Sequence, residues 1–173
     1  LVNPRSGTAD KARTALADAG AFDVREVAPE NLSDAIQGAV ADGEKRIVVS
    51  GGDGTIATAA RSLVGTGVEL GIVPGGTLNH FAHDLGIPAD LPSACDIAAD
   101  QTITACADVG FVNELLFLNT SSVGAYVRLV RTRERLERRL GYTLASAAAA
   151  LRVFLGLRRF DVELEVDGVV RRY

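Results

Sequence analysis

Residues 46–63, RIVVSGGDGTIATAARSL, constrain the fold of this chain more than any other stretch. RIVVSG is a short, continuous apolar run, the pattern of a parallel strand buried on both faces. Asp53-Gly54 between apolar segments is ordinarily a hairpin signal. A hairpin needs a second strand, however, and TIATAARSL is alanine-rich with apolar residues at helical spacing. The stretch therefore reads as strand, glycine loop, helix, which aims backbone N–H groups and a helix N-terminus at an anion. Gly51, Gly52 and Gly54 would let the backbone approach a phosphate with no Cβ in the way. Thr55 either caps the helix or donates to a phosphate oxygen. Asp53 is the odd member, since a carboxylate repels phosphates unless it holds a cation or a substrate hydroxyl. A plain strand-to-helix turn capped by Asp53 is the other reading of the same residues.

VPGGTLNHF repeats the theme, with Pro74, Gly75, Gly76 and Thr77 after an apolar run and Asn79 in the helix that follows. Taken alone it is also a loop with Thr77 as helix N-cap. NPRSG at the start, with Asn3 and Ser6-Gly7, leaves the first strand in the same direction. Ligands of open α/β sheets lie at the carboxyl ends of the strands, so three polar, glycine-bearing loops on one edge suggest a nucleotide cleft. There is no GxxxxGK[ST] loop, and no GxGxxG follows a strand.

The rest of the first hundred residues alternates in type. LVN ends a strand, TADKARTALADAG is helical, FDVREVA alternates like a strand, and NLSDAIQGAVADG is helical again. VELGIVP is a strand, TLNHFAHDLG a helix closed by Gly86 and Pro88, and LPSACDIAAD a further helix. Alternating strands and helices imply a layered α/β domain with a mostly parallel sheet. The character changes near residue 104. ITACADVGFVNELLFLNTSSVG reads as two strands joined around Asn113-Glu114. A long helical stretch follows, with an apolar seam at Val127, Val130, Leu136, Leu140, Leu144, Ala148 and Leu151, and Gly141 as a break point. RFDVELEVDGVVRRY alternates again, with Asp167-Gly168 at a hairpin turn. A lone hairpin is marginally stable, so this second unit is expected to be unfinished. The expected domains are 1–103 and 104–173. The opening LVN and the absence of methionine lead us to expect a chain that begins inside its first strand, as a piece of a longer protein.

NPRSG, GGDGT and PGGTLNHFAHDLGIP, in this order and spacing, resemble the catalytic domain of the diacylglycerol kinase family, and FLNTSSVGAYVRLV resembles the start of that family's second domain. The likeness covers essentially the whole chain. GGDGT by itself is shared with NAD kinases. The resemblance implies a Rossmann-like α/β N-terminal domain with a mostly parallel sheet, followed by the start of a β-rich sandwich domain that is incomplete here. It also implies ATP-dependent, Mg²⁺-assisted phosphorylation of a lipid hydroxyl, of diacylglycerol or a related lipid. By position, Asn3 and Gly51 to Thr55 line the nucleotide. Gly75, Gly76 and Thr77 form a second phosphate-side wall, supported by Asn79. Asp53 is the family's signature acid, orienting either Mg²⁺ or the acceptor hydroxyl. Metal ligands are not identifiable.

The chain departs from the family pattern at His80, His83, Ala57 and Thr58, and has no counterpart of its later Asp-Gly-Glu motif, since Asp167-Gly168-Val169 comes too early. Two alternatives follow: an NAD kinase-like enzyme, and a catalytically inactive nucleotide-binding regulatory module. A zinc site from His80, His83 and Asp84 is the less favoured reading of a solvent-facing helix.

Charge narrows the partners. Residues 1–106 carry 7 Lys/Arg against 14 Asp/Glu, which argues against a general nucleic-acid binder. Arg128, Arg131, Arg133, Arg135, Arg138 and Arg139 crowd one helix. Arg135, Arg138 or Arg139 reaches ATP phosphates in one reading; in the other the face is solvated or touches anionic lipid headgroups. The longest uncharged apolar stretch, Leu140 to Leu151, is too short to cross a bilayer, and no secretory n-region or cleavage site is present. The expectation is a cytoplasmic enzyme, peripheral at the inner membrane surface. Cys95 and Cys106 lack CxxC spacing and read as free thiols. The oligomeric state is open, a homodimer included.

Overall fold

Two faces of one parallel sheet organise the first part of the molecule. The computed structural model describes residues 1–122, 125–157, 161–166 and 168–173, and the chain divides into two compact units, Leu1–Thr120 and Ser121–Tyr173.

In the first unit β1 (Arg46–Gly51) pairs in parallel with β2 (Glu69–Pro74), Arg46 opposite Glu69 and Gly51 opposite Pro74. On the other side of β1, Val2 makes parallel bridges to both Ser50 and Glu26. Four backbone bonds carry these bridges: Asn3 N–H to the Ser50 carbonyl (3.0 Å), Ser50 N–H to Leu1 (2.9 Å), Val2 N–H to Arg25 (2.8 Å) and Val27 N–H to Val2 (2.9 Å). The parallel order is therefore residues 25–27, residues 1–3, β1, β2. FDVREVA, expected as a full strand, contributes a single bridge. Its partner segment ends at Pro4, which has no N–H to extend the ladder.

Side chains alternate across this sheet, and each face has its own cluster. Ile47, Val49 and Ile72 meet α2 (Leu32–Ala41) and α3 (Asp53–Leu63) through Leu32, Ile36, Ile56, Ala59 and Leu63. Val2, Val48 and Val73 meet α1 (Ala9–Asp18) and α5 (Leu91–Ala99) through Leu16, Cys95 and Ala98. Burial on both faces is why RIVVSG is a continuous apolar run and not an alternating one. Ile36 is completely buried, and burying such a side chain contributes about 1.5–3 kcal/mol. Asp90 caps α5, its carboxylate accepting from Ser93 N–H at 3.0 Å. At the amino end of β1, Arg46 donates to Glu69 (2.8 Å) and to the carbonyls of Ala98 (3.0 Å) and Asp100 (2.6 Å), tying the end of α5 to the sheet.

α4 covers only His80–Asp84 and is shorter than its sequence suggests. Asn79, at its N-cap, is left-handed (φ 51°, ψ 44°), so Thr77 and Leu78 belong to a loop and not to a first helical turn. β3 (Gly110–Val112) and β4 (Leu115–Phe117) form the expected hairpin around Asn113-Glu114. Both cysteines are free, Cys95 buried and Cys106 exposed.

In the second unit α6 spans Ala125–Leu155 and breaks at Gly141 (φ 70°, ψ 168°), a conformation that favours glycine. Arg128 donates to the Gly156 carbonyl at 2.9 Å, so the start of the first half meets the end of the second and the two halves form an antiparallel pair. The buried stripe is Ala145, Ala149 and Val153; of the expected seam, Leu140, Leu144 and Leu151 are exposed, while Val127, Val130, Leu136 and Ala148 are half-buried. The break at Gly141 restarts the helical phase, and small alanines let the two halves approach closely. β5 (Glu163–Val166) and β6 (Val169–Arg172) pair antiparallel with Val166 opposite Val169. Gly168 has φ 77°, as a tight turn requires; Asp167, the other expected turn residue, lies outside the described residues, as do Val123 and Gly124 of the FLNTSSVGAYVRLV motif. Among the described residues no helix is long and apolar enough to cross a membrane.

Candidate active site

Asn3, Gly51 and Pro74 mark the carboxyl ends of three adjacent parallel segments, so NPRSG, GGDGT and PGGT emerge side by side. Hydrogen bonds lock them together. Gly75 N–H donates to the Gly51 carbonyl at 2.8 Å. The Gly75 carbonyl in turn accepts from the hydroxyls of Ser6 and Thr8, the latter at 3.0 Å. Asn3 Nδ2 donates to Thr55 Oγ1 at 2.9 Å, while Asn3 Oδ1 accepts from Arg5 N–H at 2.9 Å. Asn79 makes a reciprocal pair with Gly76: Oδ1 accepts from Gly76 N–H and Nδ2 donates to the Gly76 carbonyl, both at 2.8 Å.

The glycines divide into two kinds. A Cβ on Gly76 would lie 2.5 Å from Gly52 Cα and 2.9 Å from Asn79 Oδ1; one on Gly75 would lie 3.0 Å from Gly51 N; one on Gly51 would lie 2.6 Å from Thr55 Cβ. Gly75 and Gly76, with Gly52 as the backbone that Gly76 meets, are thus set by the approach of the loops to one another, and Gly51 by the Thr55 side chain of its own loop. Gly54 is different. A Cβ there meets nothing within 4 Å, and its φ is not among the positive values. Neither packing nor backbone conformation requires glycine at this exposed position.

Gly54 lies in the first turn of α3, whose N-cap is Gly52 and whose N-terminus no side chain caps. The Thr55 and Ile56 N–H groups bond the Gly52 carbonyl, while those of Asp53 and Gly54 have no backbone partner among the described residues and lie at the positive end of the helix dipole. Asp53 is the first residue of α3 and is half-buried. It caps nothing in its own helix. Its Oδ1 accepts from Phe81 N–H at 3.2 Å, and Oδ2 has no hydrogen bond among the described residues. Thr55 Oγ1 accepts from Asn3, and its proton has no acceptor among the described residues. Thr77 is exposed and does not cap α4, where Asn79 holds the N-cap. The edge thus offers donors to an anion, with one carboxylate beside them.

Electrostatics around the loops are mild. Arg5 pairs with Glu30 at 2.7 Å, both ends more than half exposed. The Glu30 carboxyl is held below its usual range, first by its own backbone N–H and then by Arg5. Exposed pairs of this kind contribute little, so Arg5 is easily released. His80 and His83 are exposed, and no group of three His, Cys, Asp or Glu is arranged to hold a metal among the described residues. Arg135 and Arg139 are exposed on the second unit, while the side chain of Arg138 lies outside the described residues. Two participants go unmarked in the sequence, Thr8 and Phe81, and Ser6 stands out there only as part of its loop. Ser6 and Thr8 look like ordinary turn hydroxyls until they converge on one carbonyl, and Phe81 acts through its backbone N–H, which no residue type signals.

The family model described as the diacylglycerol kinase catalytic domain matches residues 1–112. A diacylglycerol kinase of Mycobacterium tuberculosis (strain ATCC 25618 / H37Rv) is 32% identical over 158 residues, covering 84% of this chain and 50% of that protein. One from Bacillus subtilis (strain 168) is 36% identical over 130 residues, covering 70% and 41%. The crystal structure of a diacylglycerol kinase from Bacillus anthracis aligns with TM-score 0.64 and 26% identity over 99% of this chain and 61% of that one. The chain thus spans about half the length of the curated kinases that it matches. On the strength of the matched domain and the α/β fold that carries it, the chain belongs to the diacylglycerol kinase catalytic domain family.

Proposed function

We propose that this chain is the nucleotide-binding part of an ATP-dependent lipid kinase that phosphorylates the hydroxyl of diacylglycerol or a related lipid. The carrying observation is Gly54: an unhindered, uncapped helix N-terminus at the edge where three loops interlock. The parallel order 25–27, 1–3, β1, β2 supports a Rossmann-like first domain, with the chain reversing direction across the sheet between residues 1–3 and β1. Ligands of open α/β sheets sit at such reversals. The exposed hairpin β5–β6 fits the opening of a larger β-rich domain.

In the reaction, the lipid hydroxyl oxygen forms a bond to the γ-phosphorus as the bond from that phosphorus to the β–γ bridging oxygen breaks; ADP leaves and the hydroxyl proton is released. Catalysis here is mostly positioning and charge neutralisation. The Asp53 and Gly54 N–H groups of α3 and the Thr55 hydroxyl hold phosphate oxygens, and the loop around Gly75 and Gly76 forms the second wall. Mg²⁺ bound mainly through nucleotide phosphates needs one or two carboxylates from the protein, which Asp53 fits through its unbonded Oδ2. When bound, the ion neutralises phosphate charge. Asp53 otherwise faces the acceptor hydroxyl.

The acceptor places the enzyme at a membrane. The second unit offers Arg139, Leu140, Tyr142 and Leu144, all exposed around the Gly141 break, as the peripheral contact at the cytoplasmic surface. Radiolabelled ATP with diacylglycerol vesicles, and with NAD as competing acceptor, tests the proposal. The full-length gene product is expected to label the lipid and not NAD, and Asp53→Asn is expected to abolish turnover while the unfolding midpoint stays close to wild type. Full turnover by Asp53→Asn would refute its role, and labelling of NAD alone would refute the substrate class.

A further inference from the structure

The Asp53 carboxylate is aimed from outside its own helix. Its Oδ1 is held at 3.2 Å by Phe81 N–H, from the second residue of α4 across 28 positions of sequence. Where that N–H points depends on how the chain enters α4. The entry is Asn79, a non-glycine residue at φ 51°, ψ 44°. Side chains rarely adopt this conformation unless local bonds hold them, and both polar atoms of Asn79 are spent on Gly76 at 2.8 Å. Gly76 is in turn packed on the Gly52 backbone, next to Asp53. A closed circuit therefore runs from Gly52 to Gly76, Asn79, Phe81 and Asp53.

We infer that Asn79 is a positioning residue: through its pair with Gly76 it directs the Phe81 N–H that orients the Asp53 carboxylate, and it does not touch the nucleotide itself. This rests on the proposed kinase reading, in which Asp53 is the working acid. Both amide atoms of Asn79 are turned to Gly76. Asparagine also tolerates the left-handed conformation better than most residues.

The test uses three substitutions and two independent readouts. In the 173-residue chain, hydrogen exchange of the Phe81 amide is followed by NMR in wild type, Asn79→Gly, Asn79→Ala and Asn79→Asp. In the full-length gene product, kcat and KM for ATP are measured for the same set. Asn79→Gly keeps the left-handed backbone without strain but loses both bonds to Gly76. Asn79→Asp keeps the acceptor for Gly76 N–H. The Phe81 amide is expected to exchange at least tenfold faster in the Gly and Ala variants, with Asp close to wild type. In parallel kcat falls roughly 10- to 100-fold while KM for ATP changes little, and Asp restores most of the rate. A Phe81 amide that stays protected in Asn79→Gly overturns the inference, as does a raised KM for ATP at unchanged kcat. If the wild-type gene product transfers no phosphate to any lipid, the kinase reading fails, and the exchange arm still decides whether Asn79 directs Phe81 N–H.

Discussion

Gly54→Ala separates a glycine kept for the fold from one kept for a ligand. In the free protein the added methyl enters a space with no atom within 4 Å, at a position whose φ is not positive. It thus meets no steric cost, and replacing glycine at a compatible position stabilises by about 0.4–1 kcal/mol, largely by restricting the unfolded chain. Helical Cα–Cβ bonds tilt toward the N-terminus, so the methyl projects toward the end where the first-turn amides point. An anion there loses close approach to at least one N–H. A hydrogen bond to a charged group contributes about 1.5–3 kcal/mol, and 1.4 kcal/mol is tenfold in affinity, so binding should weaken roughly 10- to 100-fold. Urea unfolding followed by circular dichroism reads the stability, and calorimetric titration with MgATP reads the affinity. The variant should be more stable than wild type and bind ATP worse. Wild-type affinity in a stabilised Gly54→Ala would show that the α3 N-terminus holds no phosphate.

Gly76→Ala tests the interlock. Its Cβ would meet the Gly52 backbone at 2.5 Å, which cannot rotate away, so the loops must part and the protein should lose about 1–3 kcal/mol of stability in urea unfolding; an unchanged midpoint would contradict the packing. Asp90 tests a cap by pH. The Ser93 hydroxyl and then the Ser93 N–H hold its carboxyl below the usual range. A folded-state value below the unfolded one means stability present above roughly pH 4 and lost as pH falls through the lowered folded value. Thermal melts should therefore show a steeper acid decline for wild type than for Asp90→Asn, which keeps a neutral acceptor; parallel declines would refute the assignment.

Local signals in the sequence carried the layering and the loops. RIVVSG announced a strand buried on both faces and VELGIVP a further strand, and they pair in parallel as β1 and β2. The alanine-rich stretch after Gly54 announced a helix and so removed the hairpin reading of Asp53-Gly54. Where the sequence misled, a non-local partner or a single backbone angle decided. FDVREVA has strand periodicity, but Pro4 limits the ladder it can join. The seam through Leu140, Leu144 and Leu151 assumes one continuous helical phase, which Gly141 interrupts. Within the candidate site, residue types marked three loops that do emerge on one sheet edge, but not how their residues pair. Nothing in Gly51-Gly52 or Gly75-Gly76 distinguishes a glycine that meets another backbone from one, like Gly54, that faces open space. Asn3 and Asn79, read as lining and supporting residues for a nucleotide, also hold the loops in shape: Asn3 bonds Thr55 of the neighbouring loop and Arg5 of its own, and Asn79 bonds Gly76 within its own loop.

The most direct measurement is a titration of the ¹⁵N-labelled chain with MgATP, followed amide by amide. The account predicts that shifts concentrate at Gly52 to Thr55 and Gly75 to Thr77, and that Gly54→Ala suppresses them. Shifts centred on other residues, with the amides of Gly54 and Gly76 unmoved at saturating nucleotide, would contradict it.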